Sequence, residues 1–442
     1  MGGRERSATM RLTQVRLTNY RGFEEITIPF NHDITILVGN NGSGKSSVLD
    51  GLAIGLASLF LGLEGESSGS IHKNDVRLKT FELGSRLERQ AQYPARIRCD
   101  GELYGHRISW ERSLNTEGGS TTYGDAKDLT VITKKVNERV KSGDSTVILP
   151  IISYYSTGRL WAKKREKRDS AKVSLQNRYA GYADCLDVMS NDKLLYAWLQ
   201  QMTYQELQEG KSLPELSAVK KAILFCFNSS GSNTNMGIAE KCVYNVKSEE
   251  IEITYTLPNG EKEIRSVGQM SDGYRNMLCM VADIAYRMAL LNPQLLDQVL
   301  DKTTGVVLID EIDLHLHPAW QRHVIATLHE LFPMVQFVVS THSPSVISTV
   351  SRDQILILDN GGISPVSVQT YGKDVNSIME TVMNVANRPD DIKEKFDIFY
   401  HLLSCEQYDK ARSLLLELVE ILSENDHDVI SAAMALDLEM ME

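Results

Sequence analysis

The sequence predicts an α/β fold: core strands that carry a glycine loop, an added antiparallel β-subdomain, a helical insertion and a C-terminal helical tail. Three observations predict it. The β-rich run Asp33–Val38 ends in Gly39-Asn40-Asn41-Gly42-Ser43-Gly44-Lys45-Ser46 and leads into Ser46–Leu63, apolar almost all round and therefore read as a buried helix. Three later runs, Gly305–Ile309, Phe337–Ser340 and Gln354–Leu358, have the length and composition of core strands, with a helix expected at Pro318–Leu331. Charge is segregated: of the net −11 from 47 basic and 58 acidic residues, residues 376–442 hold −10, with 15 acids against 5 bases.

The remaining elements follow in order. Leu12–Leu17 and Glu25–Phe30 alternate polar and apolar residues, as half-buried strands do, around Asn19-Tyr20-Arg21-Gly22-Phe23. From about residue 75 to 155, short alternating runs such as Ala95–Asp100, His106–Ser113 and Ser145–Ser153 predict further antiparallel strands. Leu194–Leu207 and Leu216–Phe227 have helical spacing. Val243–Tyr255 and Glu261–Val267 predict a hairpin around Pro258-Asn259-Gly260, and Asp272–Leu291 a long helix. Asp391–Ser404, Gln407–Leu422 and Val429–Met440 predict three amphipathic helices. The chain thus divides into an N-terminal lobe at 10–158, a helical insertion at 159–242, a second lobe at 243–375 and an acidic tail at 376–442 suited to docking a protein partner.

Composition excludes several classes. With 42% hydrophobic and 24% charged residues the chain is ordinary globular protein, not a disordered or fibrous one. The uncharged stretch Gly51–Leu63, between Asp50 and Glu64, is too short for a membrane span of roughly 20 residues, and no apolar core follows Arg4 and Arg6 as a signal peptide requires. Six scattered cysteines without a C-x-x-C pair predict reduced thiols and a cytoplasmic location.

Four motifs carry the chemistry. Gly39–Ser46 fits G-x-x-x-x-G-K-[ST] between a strand and a helix. Glycines let successive backbone N–H groups of Gly39, Asn40, Asn41, Gly42, Ser43 and Gly44 face phosphate oxygens, and the helix N-terminus, with Ser46 and Ser47, adds positive dipole. Lys45 would reach the β- and γ-phosphates of ATP, and Ser46 would ligate Mg²⁺. Val306-Val307-Leu308-Ile309-Asp310-Glu311 is an apolar strand ending in two acids, so Asp310 would hold Mg²⁺ and Glu311 would polarise the attacking water. His342, in Ser340-Thr341-His342-Ser343-Pro344 at the end of the next strand, would hydrogen-bond the γ-phosphate. Ser271-Asp272-Gly273-Tyr274-Arg275 opens a long helix and resembles the signature loop of ABC-type ATPases, which implies that Ser271 and Gly273 contact the γ-phosphate bound to a partner subunit; the plain alternative is a helix cap.

The order phosphate loop, signature, acidic strand end and switch histidine resembles that of the ABC-type ATPases. Asn19-Tyr20-Arg21-Gly22-Phe23 before Gly39-Asn40-Asn41-Gly42, with the run Asp310 to Pro318, is similar to the RecF, SMC and OLD-like group. Within it, Tyr154-Tyr155-Ser156-Thr157-Gly158-Arg159, the Asp272 variant of the signature, and Leu314-His315-Leu316-His317-Pro318-Ala319-Trp320-Gln321 resemble PtuA, the ATPase family of Septu antiphage defence. The resemblance implies an ABC-type P-loop ATPase head, a head-to-tail homodimer or higher oligomer with two ATPs at its interface, Arg21 near the nucleotide, and a separate HNH-type nuclease subunit as partner. This chain itself shows no H-N-H cluster. No Gln marks a Q-loop in Leu149–Arg159. The basic stretch Arg159–Arg178, with 8 bases against 2 acids, would track DNA phosphates by charge or stand as a solvated helix face. A nucleotide-locked scaffold and a RecF-like DNA-repair ATPase are the other functions open to such a chain.

Overall fold

The computed structural model describes residues 10–63, 69–84, 86–160, 177–187, 192–229, 237–359, 361–385 and 388–440. The chain forms two compact units, Met1–Lys373 and Asp374–Glu442.

The first unit is built on a six-stranded sheet. Strands β1 (Met10–Tyr20), β2 (Phe23–Pro29) and β3 (Ile34–Val38) precede helix α1 (Lys45–Leu56). They are followed by β4 (Leu78–Leu83), β5 (Arg86–Ala91), β6 (Ala95–Leu103), β7 (His106–Leu114), helix α2 (Lys127–Lys141) and β8 (Ile151–Tyr155). Helices α3 (Asp192–Glu209) and α4 (Pro214–Asn228) lead to β9 (Ile238–Asn245), β10 (Glu250–Thr256), β11 (Lys262–Ser266) and helix α5 (Asp272–Leu291). The unit closes with β12 (Gly305–Ile309), β13 (Val335–Ser340), β14 (Ile355–Asp359) and β15 (Gly362–Pro365).

The central sheet runs β15-β14-β3-β13-β12-β8, parallel except for the β14–β15 hairpin. Every residue of β3, β12 and β13 is buried, which is why these strands are mostly apolar along their length rather than alternating. Their carboxyl ends carry the glycine loop, Asp310-Glu311 and Thr341-His342. Open parallel sheets bind ligands in the crevice outside those ends.

A second, antiparallel sheet runs β2-β1-β6-β7. In β1 the buried positions fall at Met10 and Leu12, then Val15 and Leu17. The pairing with β6 shifts register between Leu12 and Gln14, and this irregularity moves the apolar phase by one residue. The buried face lies over α1, where the Trp110 indole N–H donates to the Gly55 carbonyl at 2.8 Å.

Several expectations are corrected. The 75–155 region is not all strand: Lys127–Lys141 is helical, with Leu129, Thr133 and Val136 buried at helical spacing behind a β-branched composition. Within Ser145–Ser153 only the segment from Ile151 is strand, and it joins the parallel sheet beside β12 rather than an antiparallel one. Val243–Tyr255 is two strands, because the chain turns before Glu250, with Glu249 at φ 55°. The first helix stops at Leu56 and continues as a 3₁₀ segment, Ala57–Leu61. The helix expected at Pro318–Leu331 is broken into Pro318–Gln321 and Val324–Leu331.

The second unit contains three longer helices, Asp390–Ser404, Tyr408–Leu422 and His427–Glu439. Phe396, Phe399, Leu415, Leu418, Val429 and Leu436 form its core. Arg388 clamps the start of the last helix through Asp426 at 2.7 Å and Asp428 at 2.6 Å. Asp426 also caps that helix by accepting from the Asp428 and Val429 amides.

Candidate functional site

Two features shape the glycine loop. Gly44 sits at φ 101°, a region that favours glycine, and a Cβ there would lie 2.4 Å from the Phe23 ring. Any side chain at 44 would therefore collide with the β1–β2 turn as well as strain the backbone. The loop lines a cleft of about 340 Å³ with Gly22, Phe23, Ser47 and Asp359. The Lys45 ammonium donates to the carbonyls of Gly39 at 2.8 Å and Asn40 at 3.1 Å. Burial lowers its pKa, opposed by the nearby carboxylates of Asp310, Glu311 and Asp313. Ser46 lies exposed at the start of α1.

One hydroxyl organises the acidic strand end. Ser340 Oγ donates to Asp310 Oδ1 at 2.5 Å and accepts the Glu311 amide at 2.8 Å. Asp310 is only 2% exposed. Glu311 has φ 47°, an uncommon conformation for a non-glycine residue, held by that amide bond. Asp313 Oδ1 accepts from Thr341 Oγ1 at 2.5 Å and from the His342 amide at 3.3 Å. His342 has a lowered pKa, first through burial and then through the Lys45 charge, with Asp313, Glu311 and Asp310 opposing. The imidazole is thus biased to its neutral form, able to donate from one nitrogen while the other stays an acceptor. Lys45, Asp310, Glu311 and His342, expected from three separate motifs, sit within one electrostatic cluster. Ser340 and Asp313 were not assigned roles by sequence reasoning; the only signal was their position beside the motif residues.

The donor set suits ATP with Mg²⁺. Ser46 and Asp310 offer a hydroxyl and a carboxylate, hard oxygen ligands, and Mg²⁺ takes few protein ligands because it keeps waters and phosphate oxygens. Among the described residues no group of three or more His, Cys, Asp or Glu could hold a metal alone.

The signature residues Ser271 and Gly273 stand at the start of α5. Ser271 stands exposed at the N-cap position of α5 without a side-chain cap bond. Gly273 packs on the loop after Glu311: a Cβ there would lie 2.2 Å from the His315 carbonyl oxygen. Tyr274 meets Trp320 edge-on, ring centroids 4.7 Å apart. His317 caps the helix starting at Pro318, its Nδ1 accepting the Ala319 amide at 3.2 Å.

Arg21 adjoins Gly22 and Phe23, which line the cleft. Its guanidinium donates to Asp50 on α1 and to Asp75, the latter at 3.0 Å. Tyr154 Oη donates to the other Asp50 oxygen at 2.8 Å. Asp50 therefore anchors the glycine-loop helix to both the β1–β2 turn and β8. Asp50→Ala would leave the Tyr154 hydroxyl and one Arg21 donor unmatched in a part-buried place. It is expected to lower stability by about 1–3 kcal/mol, seen as a lower urea midpoint with an unchanged m-value.

Of the basic stretch, residues 161–176 and the side chain of Arg159 lie outside the described residues. Arg178 is engaged inward, donating to the carbonyls of Leu291 at 2.7 Å and Val147 at 2.8 Å, and so does not extend a phosphate-tracking surface.

Residues 14–225 match a family model described as an AAA domain, and residues 162–347 match one described as an AAA ATPase domain. The chain belongs to the AAA-type ATPases. It is 26% identical to the Retron Ec83 probable ATPase of Escherichia coli, over 98% of this chain and 88% of that protein. It is also 26% identical to the Retron Vc95 probable ATPase of Vibrio cholerae serotype O1 biovar El Tor, over 85% and 80%. The likeness to the Septu protein PtuA of Bacillus mycoides is 31% over 30% of this chain and 19% of that one. The family resemblance read from the motifs therefore extends to retron ATPases, which match along far more of this AAA-type ATPase. A crystal structure of an Smc head bound to the C-winged helix domain of ScpA superposes with a TM-score of 0.47 at 17% identity, covering 81% of this chain and 98% of that one. Superposition this loose adds nothing to the strand order. Among the described residues, no helix of this ATPase is long and apolar enough to cross a membrane.

Proposed function

We propose that this ATPase binds ATP with Mg²⁺ between two copies of itself, hydrolyses it slowly, and so gates a separate HNH-type nuclease subunit in antiphage defence. The observation that carries the dimer is the exposed signature end of α5. Lys45, Asp310, Glu311 and His342 gather in one electrostatic cluster, while Ser271 stands exposed at the start of α5 and Gly273 packs against the His315 carbonyl. An exposed signature is available to the nucleotide of a second copy, in a head-to-tail arrangement that closes as a two-fold dimer. In this reading Ser46 and Asp310 would hold Mg²⁺, Lys45 and the loop amides would hold the phosphates, Glu311 would orient water and His342 would contact the γ-phosphate. The defence role is supported by the retron and Septu ATPases to which the chain is similar.

The second unit is assigned to partner docking, because its acidic surface repels DNA and suits a protein. Deleting 374–442 is expected to leave ATP affinity within about twofold, since the two units are separately compact. Partner co-purification should be lost. Retention of the nuclease subunit by the truncated chain would remove the docking assignment. The deciding experiment for the whole reading is ATP-dependent mass: a monomer that doubles on adding ATP·Mg²⁺ and returns after hydrolysis. A chain that hydrolyses ATP as a monomer would refute it.

A further inference from the structure

The motif Tyr154-Tyr155, left without a role by the nucleotide chemistry, sits at the end of β8, next to the acidic strand end. Side chains alternate across a strand, so these two tyrosines leave opposite faces of the sheet. Tyr154 Oη donates to Asp50 on α1, the helix that begins with Lys45 and Ser46. Tyr155 Oη donates to Asp283 Oδ2 at 2.7 Å on α5, the helix that begins after Ser271. Between them, the Tyr155 carbonyl accepts the amide of Asp310 at 2.8 Å. One short strand end is therefore bonded to the glycine-loop helix, the metal-binding acid and the signature helix.

The α5 end of this connection is stiff. Arg287, one turn along from Asp283, donates to the same Asp283 oxygen at 2.7 Å and to the carbonyls of Gly181 at 3.0 Å and Ala183 at 2.8 Å. Cys185, in that same segment, accepts the Tyr154 amide at 2.8 Å. Burial and the Asp283 charge keep the Tyr155 phenol protonated, so it remains the donor.

We propose that Tyr155 is a positioning residue that couples the two ATP sites of the dimer. It ties the strand end that holds a protomer's own Mg²⁺ ligand to the helix that presents the signature to the partner's ATP. This rests on the head-to-tail reading above. Filling one site moves Asp310 and β8, Tyr155 carries the shift to Asp283, and α5 reorients its N-terminus at the second site. Allosteric coupling of this kind is a free-energy link through an element that both sites bias.

The test uses the full chain and compares wild type with Tyr155→Phe, which removes one hydroxyl and leaves Asp283 its Arg287 partner. Wild type should hydrolyse ATP with a Hill coefficient near ~2, the limit for two sites. In Tyr155→Phe it should fall towards ~1, with the coupling reduced by about fivefold to tenfold, as the loss of one hydrogen bond to a charged group allows. Affinity for a fluorescent ATP analogue, measured at a concentration where the protein is monomeric, should stay within about twofold, because the phosphate contacts are untouched. Asp283→Asn should reproduce the loss, and the double variant should lose no more than either single one, as members of one connection do. If wild type stays monomeric and non-cooperative with ATP, the dimer reading fails and takes this inference with it. If wild type dimerises and is cooperative but Tyr155→Phe keeps its Hill coefficient, the dimer stands and the coupling role is overturned.

Discussion

Glu311→Gln is expected to lower ATP turnover by about 10²–10⁴-fold, the usual contribution of a general base, while ATP binding and ATP-dependent association persist. Gln keeps the length of the side chain and does not disturb the amide bond to Ser340 Oγ that holds φ 47° at this position. What it loses is the ability to take a proton from water. Lys45→Ala differs in kind: it removes the cation that burial and three carboxylates set at the loop, so nucleotide affinity itself should collapse. Phosphate release, fluorescent-nucleotide binding and mass measured with and without ATP separate the two. Wild-type turnover in either variant would sink the site assignment. The pair also separates a gating enzyme from a nucleotide-locked scaffold. Equal loss of defence in both variants favours turnover; defence kept only in Glu311→Gln favours the scaffold.

Gly273→Ala should cost about 1–3 kcal/mol, as overpacking does, and should abolish ATP-dependent association more completely than it weakens folding. Alanine is the better helix former by roughly 1 kcal/mol, so propensity alone predicts a gain. The new Cβ, however, would sit 2.2 Å from the His315 carbonyl oxygen and 3.1 Å from its carbon, and backbone cannot yield as a flexible side-chain end would. His315 is itself at φ 62°, so the loop has little room to retreat. The strain falls at once on the exposed Ser271 end of α5 and on the loop that follows Asp313. ATP affinity of the monomer should change little, because neither residue belongs to the glycine loop or to the Lys45, Asp310, Glu311 and His342 cluster. An association constant equal to that of wild type would show that signature and loop do not act together.

The parts of the fold that proved legible are those where one physical pattern dominates. The all-buried strands β3 and β12 were read to within one residue because burial on both faces leaves a nearly continuous apolar run, whereas β13 was read only from Phe337 because Gln336 interrupts it. Helix α5 was readable to its ends, from the Ser-Asp start to Asn292. Helix α2 was missed because Thr130-Val131-Ile132-Thr133 is β-branched and looks like strand, although its buried residues keep helical spacing. The turn before Glu250 carries no Gly or Pro, so two strands looked like one. The glycine loop, Asp310, Glu311 and His342 were visible as motifs. Arg21 was visible only as part of a resemblance, and no local pattern could reveal that its partners, Asp50 and Asp75, lie 29 and 54 residues away in the chain.

Strand β8 closes one side of the central sheet, and an edge strand is where a sheet can recruit the wrong chain. Here the outer side is partly occupied, since the Cys185 carbonyl takes the Tyr154 amide and the Tyr182 hydroxyl donates to the Pro150 carbonyl at 2.8 Å. A slip of β8 by one residue would also send each tyrosine hydroxyl to the wrong face, away from its aspartate. The two aromatic donors thus act as a register lock during folding. Disrupting both at once should appear as a misfolding and aggregation defect on refolding from urea, before any effect on nucleotide chemistry is measured.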